Sequence, residues 1–534
     1  MRTFPFVFAV LAGCSPMVGL PDGGDAGMTT EDAGTDAGSG CPVDVTPSPG
    51  VVVTTTGALQ STPRGDVDAY LGVPYAAPPV GALRWKAPEP AACWSGVRPA
   101  TAFGAECPQS QADGGVLGAE DCLFLNVFVK RGASAAPVLV WIHGGGNVQG
   151  AGSFPVYDGV ELASRQGVMV VTFNYRLGGL GYFTSPGLDA ESDAGVSGNY
   201  GLLDQHAVLR WVRDNAAAFG GDPTHVTLFG ESAGGQDTLT NLFTPGSKGL
   251  FHAAIIESGG AYGTTLAQAE ASMATLPAQL GCGTASDVVS CLRQVPASQW
   301  ASLDVAVGPL DRGLVRFGPV IDGHVFPGDP WVLAAAGQQH GVPVIIGSNA
   351  EETSRMVPTV TTDAEYQAAV RALYPAGAAN AALVQYPSSR FATPRAALIA
   401  LTTDATWTCP VRRMARKLTS SQSAPVYRYF FSWHAPGVAG AVIGATHGLE
   451  VPFVFRTFSA LGSNWTPTAG DLALSDAMGG YWSSFGRSIG TPSGTVSWPA
   501  FPAGGDVALE LNTTIAPLTG VRTADCDFFD ALNP

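Results

Sequence analysis

The chain has 534 residues, 46% hydrophobic and 13% charged, which is enough apolar side chain for a large core and excludes global disorder. Its 43 acidic against 27 basic residues leave a formal net charge of -16, and a surface of that sign repels phosphate backbones, so general nucleic-acid binding is excluded. With 68 Gly and 40 Pro, it is loop-rich rather than a helical bundle.

In chain order, the first segment is an address rather than a fold. Residues 1–13 carry an apolar run, Phe4 to Ala12, that is too short to cross a bilayer, which takes about 20 helical residues, but suits the hydrophobic region of a signal peptide. The tetrapeptide Leu11-Ala12-Gly13-Cys14 resembles a bacterial lipobox. That resemblance implies cleavage before Cys14, acylation of its thiol and membrane association through the lipid, each buried methylene contributing about 0.8 kcal/mol. The expected location is the bacterial cell envelope, at the outer membrane or periplasmic face, with plain secretion as the alternative. Residues 14–40 repeat Asp, Gly and Ala, cannot bury enough apolar area to offset ordering entropy, and read as a flexible tether. Residues 41–534 are expected to form a single domain.

Within that domain, apolar runs of strand length alternate with helical patterns. Pro137–His143 reads as a buried strand ending in glycines, and Val168–Tyr175 as the next. Leu203–Phe219 carries Leu209, Trp211, Val212 and Phe219 near helical spacing. Val226–Phe229, Ala253–Ile256, Pro343–Ile346 and Val426–Phe431 follow as strands. Continuously apolar strands separated by helices predict an α/β fold with a mostly parallel central sheet flanked by helices. Residues of about 265–335 and 355–410 are irregular and more helical, and are expected to cap one edge of the sheet.

Nine cysteines minus a lipidated Cys14 leave an even number, compatible with four disulfides in an oxidising compartment. Cys107 with Cys122 and Cys282 with Cys291 are plausible local pairs, and Cys41 with Cys93 and Cys409 with Cys526 would complete the set, though spacing alone leaves connectivity open. None forms a CxxC, so neither structural zinc nor another metal is expected.

Two motifs carry chemistry. In Val226-Thr-Leu-Phe-Gly230-Glu231-Ser232-Ala233-Gly234-Gly235, a G-x-S-x-G turn sits between a strand and a helical pattern, which holds a serine hydroxyl above the sheet edge. His143-Gly144-Gly145-Gly146 follows another strand, and its glycines let backbone N–H groups approach a developing oxyanion, as in the HGGG loop of lipases and esterases. Gly145, Gly146 and Ala233 are the expected donors, one such donor contributing about 3 kcal/mol to a transition state. His143 is expected to pack and orient the loop.

Around these motifs, Phe219–Gly234 resembles the serine signature of the type-B carboxylesterase/lipase family, Glu120–Asn126 its second signature, and Asn174–Leu177 and Gly198–Gln205 further segments of it. The similarity runs from about residue 50 to the C-terminus. It implies an α/β-hydrolase fold and ester hydrolysis through an acyl-enzyme with a Ser-His-Glu triad, on a small-molecule ester, with no cofactor. Gly347-Ser-Asn-Ala-Glu351-Glu352-Thr353 resembles the family's acidic loop, whose second acidic position selects Glu352 over Glu351, although Thr353 replaces the usual glycine. Gly444-Ala-Thr-His447-Gly-Leu-Glu450 resembles the histidine segment, so the resemblance assigns Ser232, Glu352 and His447 to the triad, and Glu231 and Ser258 to a supporting network. Glu450 is expected to brace the histidine loop. In cholinesterases the loop matching Cys107–Cys122 is longer and supplies a tryptophan for a quaternary ammonium. Here Pro108–Asp121 has no aromatic residue, so choline esters are not the expected substrates. Trp300, Trp331, Phe317, Trp407 and Trp433 are candidates for an acyl pocket. A lipase acting on longer acylglycerols and a non-catalytic adhesion or binding member of the family are the alternative readings. Oligomeric state is not readable.

Overall fold

Along the strand Ala136–Ile142, Val138, Val140 and Ile142 face one side and Leu139 and Trp141 the other, and every one of these side chains is fully buried. Such a strand is stable only with both sheet faces covered. The computed structural model describes residues 41, 45–46, 48–111, 114–303, 305–311, 314–461 and 465–532. The expected signal segment 1–13, the expected lipidation site Cys14 and the expected tether 14–40 lie outside these residues.

Gly40–Pro534 forms one unit built on an 11-stranded sheet. In chain order its strands are β1 (Thr62–Arg64), β2 (Val67–Pro74), β3 (Phe124–Lys130), β4 (Ala136–Ile142), β5 (Met169–Phe173), β6 (Gly221–Glu231), β7 (Ala253–Glu257), β8 (Val344–Asn349), β9 (Val426–Phe431), β10 (Val507–Leu511) and β11 (Ala516–Thr519). They lie side by side in the order β11-β10-β9-β8-β7-β6-β4-β5-β3-β2-β1. All pairings from β5 across to β10 are parallel, and the antiparallel ones sit at the two edges. The expected mostly parallel sheet is therefore present, with antiparallel edge strands that the apolar runs did not announce.

Helices cover both faces. The residues at Val138, Leu228, Ala254 and Val344 pack with Val208, Leu239 and Met414 from α2 (Tyr200–Asn215), α3 (Ala233–Asn241) and α4 (Cys409–Ser421). The opposite face, with Trp141, Phe229 and Ile255, packs against Leu162 of α1 (Val160–Gln166) and Met478 and Trp482 of α5 (Ala469–Ser488). The helix expected over 203–219 starts earlier and tightens into a 3₁₀ turn at Ala216–Phe219. The strand expected to reach Tyr175 stops at Phe173, because Asn174 turns its side chain to Gly152 N, Ala105 O and Cys122 O.

Register brings the functional edge together. Gly230 pairs with Ile142, Glu231 with Glu257 and Glu257 with Gly347, so His143, Ser232 and Ser258 follow, and Asn349 ends, aligned strands at the carboxyl edge of the sheet. Open α/β sheets bind ligands at this edge. Two excursions rise beside it. One holds the helix Leu266–Met273 and a two-residue pairing of Thr264–Thr265 with Val320–Ile321; the other holds helices Asp363–Leu373, Ala376–Gln385 and Pro394–Thr403 around their own apolar cluster. The structure joins Cys41 to Cys93, Cys107 to Cys122, Cys282 to Cys291 and Cys409 to Cys526. Among the described residues no helix is long and apolar enough to cross a membrane.

Candidate active site

Ser232 caps α3 with φ 60° and ψ -121°, a conformation costing a side-chain-bearing residue about 1–3 kcal/mol. The neighbouring glycines make the turn possible. A Cβ on Gly234 would stand 2.0 Å from Ile142 O, and one on Gly230 would stand 2.5 Å from Gly234 O. Ser232 N donates to Glu257 O at 2.9 Å, tying the turn to β7. The serine lines a pocket with Gly146, Ala233, Gln236, Phe317 and Trp407.

The loop His143–Gly146 abuts the turn, since a Cβ on Gly144 would lie 3.0 Å from Ser232 Cβ. Gly145 and Gly146 have φ of 115° and 65°, and added side chains there would strike Gln149 O at 2.1 Å and Val307 O at 2.2 Å. Among the described residues, the amides of Gly145, Gly146 and Ala233 donate no hydrogen bond within the chain. Gly146 and Ala233 form part of the pocket wall, and Gly145 precedes Gly146 in the same loop. His143 is fully buried, stacks on Tyr175 at 4.4 Å between ring centroids and faces Gly144 O at 2.9 Å, and burial pushes its pKa down to about 4. A neutral, immobile ring orients the loop.

His447 is clasped from behind. Its Nδ1 lies 2.6 Å from Glu352 Oε2, and its backbone N donates to Glu352 O at 3.2 Å. The outer nitrogen, Nε2, lies 3.2 Å from Glu231 Oε1, within ion-pair range but without a hydrogen bond to it. No hydrogen bond joins Ser232 Oγ to the imidazole; the serine reaches the histidine's surroundings through its neighbour Glu231. Glu352 is fully buried and accepts from Ser258 Oγ at 2.6 Å and Asn349 N at 2.7 Å through Oε1. Asn349 Nδ2 also donates to Thr446 O at 2.9 Å and to Glu450 Oε2, so the acidic loop and the histidine loop are cross-linked. Glu450 thus braces the histidine segment by contact.

Electrostatics follow from this crowding. Burial disfavours the charged imidazole, but the Glu231 and Glu352 carboxylates outweigh it and hold the His447 pKa above its ordinary value. Burial raises Glu231 to about 7 and Glu257 to about 8, with neighbouring carboxylates adding to the rise, and raises Glu450 for the same reasons. Like charges this close cannot all ionise, so a shared proton pool surrounds the histidine.

Glu351 faces elsewhere: its Oε2 meets His434 Nε2 at 3.0 Å and accepts from Ala445 N at 2.9 Å. Thr353, at the glycine position of the resembling loop, is accommodated because its hydroxyl bonds Ile399 O at 3.1 Å and Thr402 Oγ1 at 2.6 Å. Of the aromatic candidates, Phe317 and Trp407 line the pocket. The others do not, which corrects that expectation: Trp300 packs on Trp85 and Phe183, Trp331 lies under Arg413, and Trp433 meets Phe453 tilted and Trp465 edge-on.

Several residues of the site were not anticipated. Asn349 bonds both Glu352 and the histidine loop, and Glu257, accepting from Trp482 Nε1 at 2.8 Å, joins the buried carboxylates; Trp407, expected only as a pocket aromatic, also has its ring 4.8 Å from that of His447. On the loop side, Asn147 has φ 60° and accepts from Tyr175 and Tyr182, while its Nδ2 donates to the buried Asp237 at 3.3 Å. The available signal was polar side chains inside apolar elements: Glu257 ends an otherwise apolar strand, and Asp237 lies in a helix buried on every side. Among the described residues no cluster of His, Cys, Asp or Glu is arranged to hold a metal.

Comparison with known proteins adds to this geometry. A family model described as "Carboxylesterase family" matches residues 48–529. Fumonisin B1 esterase of Sphingopyxis macrogoltabida is 36% identical over 480 residues, covering 85% of each chain. Para-nitrobenzyl esterase of Bacillus subtilis (strain 168) is 36% identical over 475 residues, 84% of this chain and 92% of that one. A solved structure titled PNB esterase superposes with a TM-score of 0.76 at 34% identity, covering 90% of this chain and 99% of its own.

Proposed function

We propose, from the premise that the chain belongs to the carboxylesterase family and hydrolyses carboxylic esters, that it does so through an acyl-enzyme formed on Ser232. A serine hydroxyl is a weak nucleophile, so His447 takes its proton through Nε2 as the oxygen attacks the ester carbonyl. Glu352 fixes the imidazole orientation through Nδ1 and stabilises the imidazolium that forms. The amides of Gly145, Gly146 and Ala233 receive the oxyanion, pre-set and with no internal acceptor to surrender. His447 then protonates the leaving alcohol, and a water activated by the same imidazole releases the acid.

One observation carries this reading: Glu352 holds His447 Nδ1 at 2.6 Å while Nε2 is left beside Glu231, the residue preceding a serine in a strained turn. The test is hydrolysis of p-nitrophenyl butyrate and of para-nitrobenzyl esters, the latter suggested by a relative's name, with wild-type and Ser232→Ala protein. The variant is expected to fall to the uncatalysed rate while melting within about 2 °C of wild type. A folded variant that retains turnover sinks the serine mechanism. Labelling by a fluorophosphonate, mapped to the peptide containing Ser232, checks the same assignment directly.

The lipobox-like tetrapeptide further supports export and acylation at Cys14, with the catalytic unit tethered to an envelope membrane. Incorporation of an alkyne-tagged fatty acid by wild type and not by Cys14→Ser is the expected result. Labelling that survives the substitution removes the proposal.

A further inference from the structure

The pocket holding Ser232 is lined largely by apolar and uncharged groups, among them Met273, Val307, Phe317 and Trp407, and Arg316 is the only charged side chain on its wall among the described residues. Its Nη2 donates to two main-chain carbonyls, Gly308 O at 2.9 Å and Asp311 O at 3.5 Å, and its other guanidinium donors meet no hydrogen-bond acceptor among the described residues. The nearby carboxylate of Asp311 is spent on the backbone amides of Val307 and Gly308, at 2.9 and 2.7 Å. Elsewhere the chain pairs its buried guanidiniums with acid: Arg176 with Asp204, Arg428 with Asp506, and Arg412 with Asp506, Asp527 and Asp530. Arg316, half-buried in the pocket wall, has no carboxylate within ion-pair distance among the described residues, so a carboxylate entering the pocket would meet an unneutralised guanidinium.

We propose that the site selects esters that carry a second, ionised carboxyl group, which Arg316 binds while Ser232 attacks the ester carbon. A guanidinium offers a planar fork of donors that matches a carboxylate, and partial removal from water strengthens the pair. The apolar wall takes the hydrocarbon between the two groups. The same cation repels ammonium-bearing esters. This selectivity rests on Ser232 being the nucleophile, and its test separates the two ideas.

The carboxylate can belong to the acid or the alcohol part, so two matched pairs are needed: monoethyl adipate against ethyl hexanoate, and 4-carboxyphenyl butyrate against phenyl butyrate. In Arg316→Gln, kcat/KM for the charged member of at least one pair is expected to fall about tenfold relative to its neutral partner, the effect of one charge-assisted hydrogen bond. Arg316→Lys recovers part of the preference, and added salt weakens it in the wild type. The pair that responds tells which side of the ester faces Arg316. An unchanged charged-to-neutral ratio in both pairs overturns the proposal. So does an equal loss on both members, which makes Arg316 only a brace for the Gly308–Asp311 turn. Neutral esters still cleaved by Ser232→Ala overturn the nucleophile reading instead.

Discussion

The two walls of the pocket are built by different means. The wall bearing Gly146, Ser232 and Ser258 grows from the aligned ends of β4, β6 and β7, where main chain packs against main chain and a Cβ on Gly234 or Gly235 would meet carbonyl oxygens at 2.0 and 2.5 Å. The wall bearing Met273, Arg316 and Phe317 lies outside the central sheet, where among the described residues its main chain pairs only in a two-residue strand pairing and a bridge between Val305 and Val315, and side-chain packing with Tyr182, Phe183 and Tyr200 does the rest. The first wall tolerates no displacement and suits the steps common to all esters. The second can vary without unmaking the sheet, and suits the choice among esters. This division makes strong claims about where a change is felt.

The largest difference is expected for one methyl group. Gly234→Ala forces the strand-to-helix turn off Ile142 O, and a cost of about 3 kcal/mol with loss of esterase activity is expected. Gly308→Ala, on the other wall, meets nothing closer than Asp311 Oδ2 at 3.6 Å and is expected to change stability by less than about 0.5 kcal/mol and activity by less than about twofold. Paired thermal melts and initial rates decide it, and similar effects at the two positions erase the distinction between the walls.

The next contrast lies between adjacent carboxylates. Glu352→Gln removes the charge that faces His447 Nδ1 and is expected to lower kcat by roughly 10³–10⁴-fold with little change in KM. Glu351 serves His434 and Ala445 N, so Glu351→Gln is expected to cost less than about tenfold. Reversed magnitudes would hand the triad role to Glu351. Ser258→Ala should fall between wild type and Glu352→Gln: its hydroxyl donates to the oxygen of Glu352 that does not face the imidazole, and losing one bond to a charged group is expected to lower kcat about tenfold.

These contrasts also mark what could be read from sequence. The strand-to-helix turn at the proposed nucleophile is encoded locally, by an apolar strand, small residues and the serine between them, and Ser232 stands where that pattern puts it. Glu352 and His447 lie 95 residues apart and were placed by resemblance to a family; their contact at 2.6 Å is a product of the sheet order. Glu257 and Asp237 escaped notice because propensity treats a lone acid in an apolar element as an exception, not as the member of a buried cluster. Arg316 was invisible for a different reason: its loop has no periodicity, and only the surrounding wall gives its charge meaning. The antiparallel edge strands were missed because half-exposed residues break their apolar runs, as in β1.

The smallest expected effect tests the electrostatics that join Ser232 to His447. Glu231 is buried, sits 3.2 Å from Nε2 and, while ionised, favours the imidazolium. A raised folded-state pKa means that the charged ring persists to higher pH, and a protonated imidazole cannot accept the serine proton. The acid limb of kcat/KM for the free enzyme is therefore expected above the ordinary imidazole value of about 6.5. Glu231→Gln keeps the shape and removes one of the three carboxylates, Glu231, Glu352 and Glu450, that raise His447, so the limb should move to lower pH by about one unit, while the plateau rate changes only a few-fold. The sign is the informative part. A limb that stays put or moves upward means Glu231 is neutral across this range and only packs beside Ser232, leaving Glu352 and Glu450 as the carboxylates that act on the imidazole.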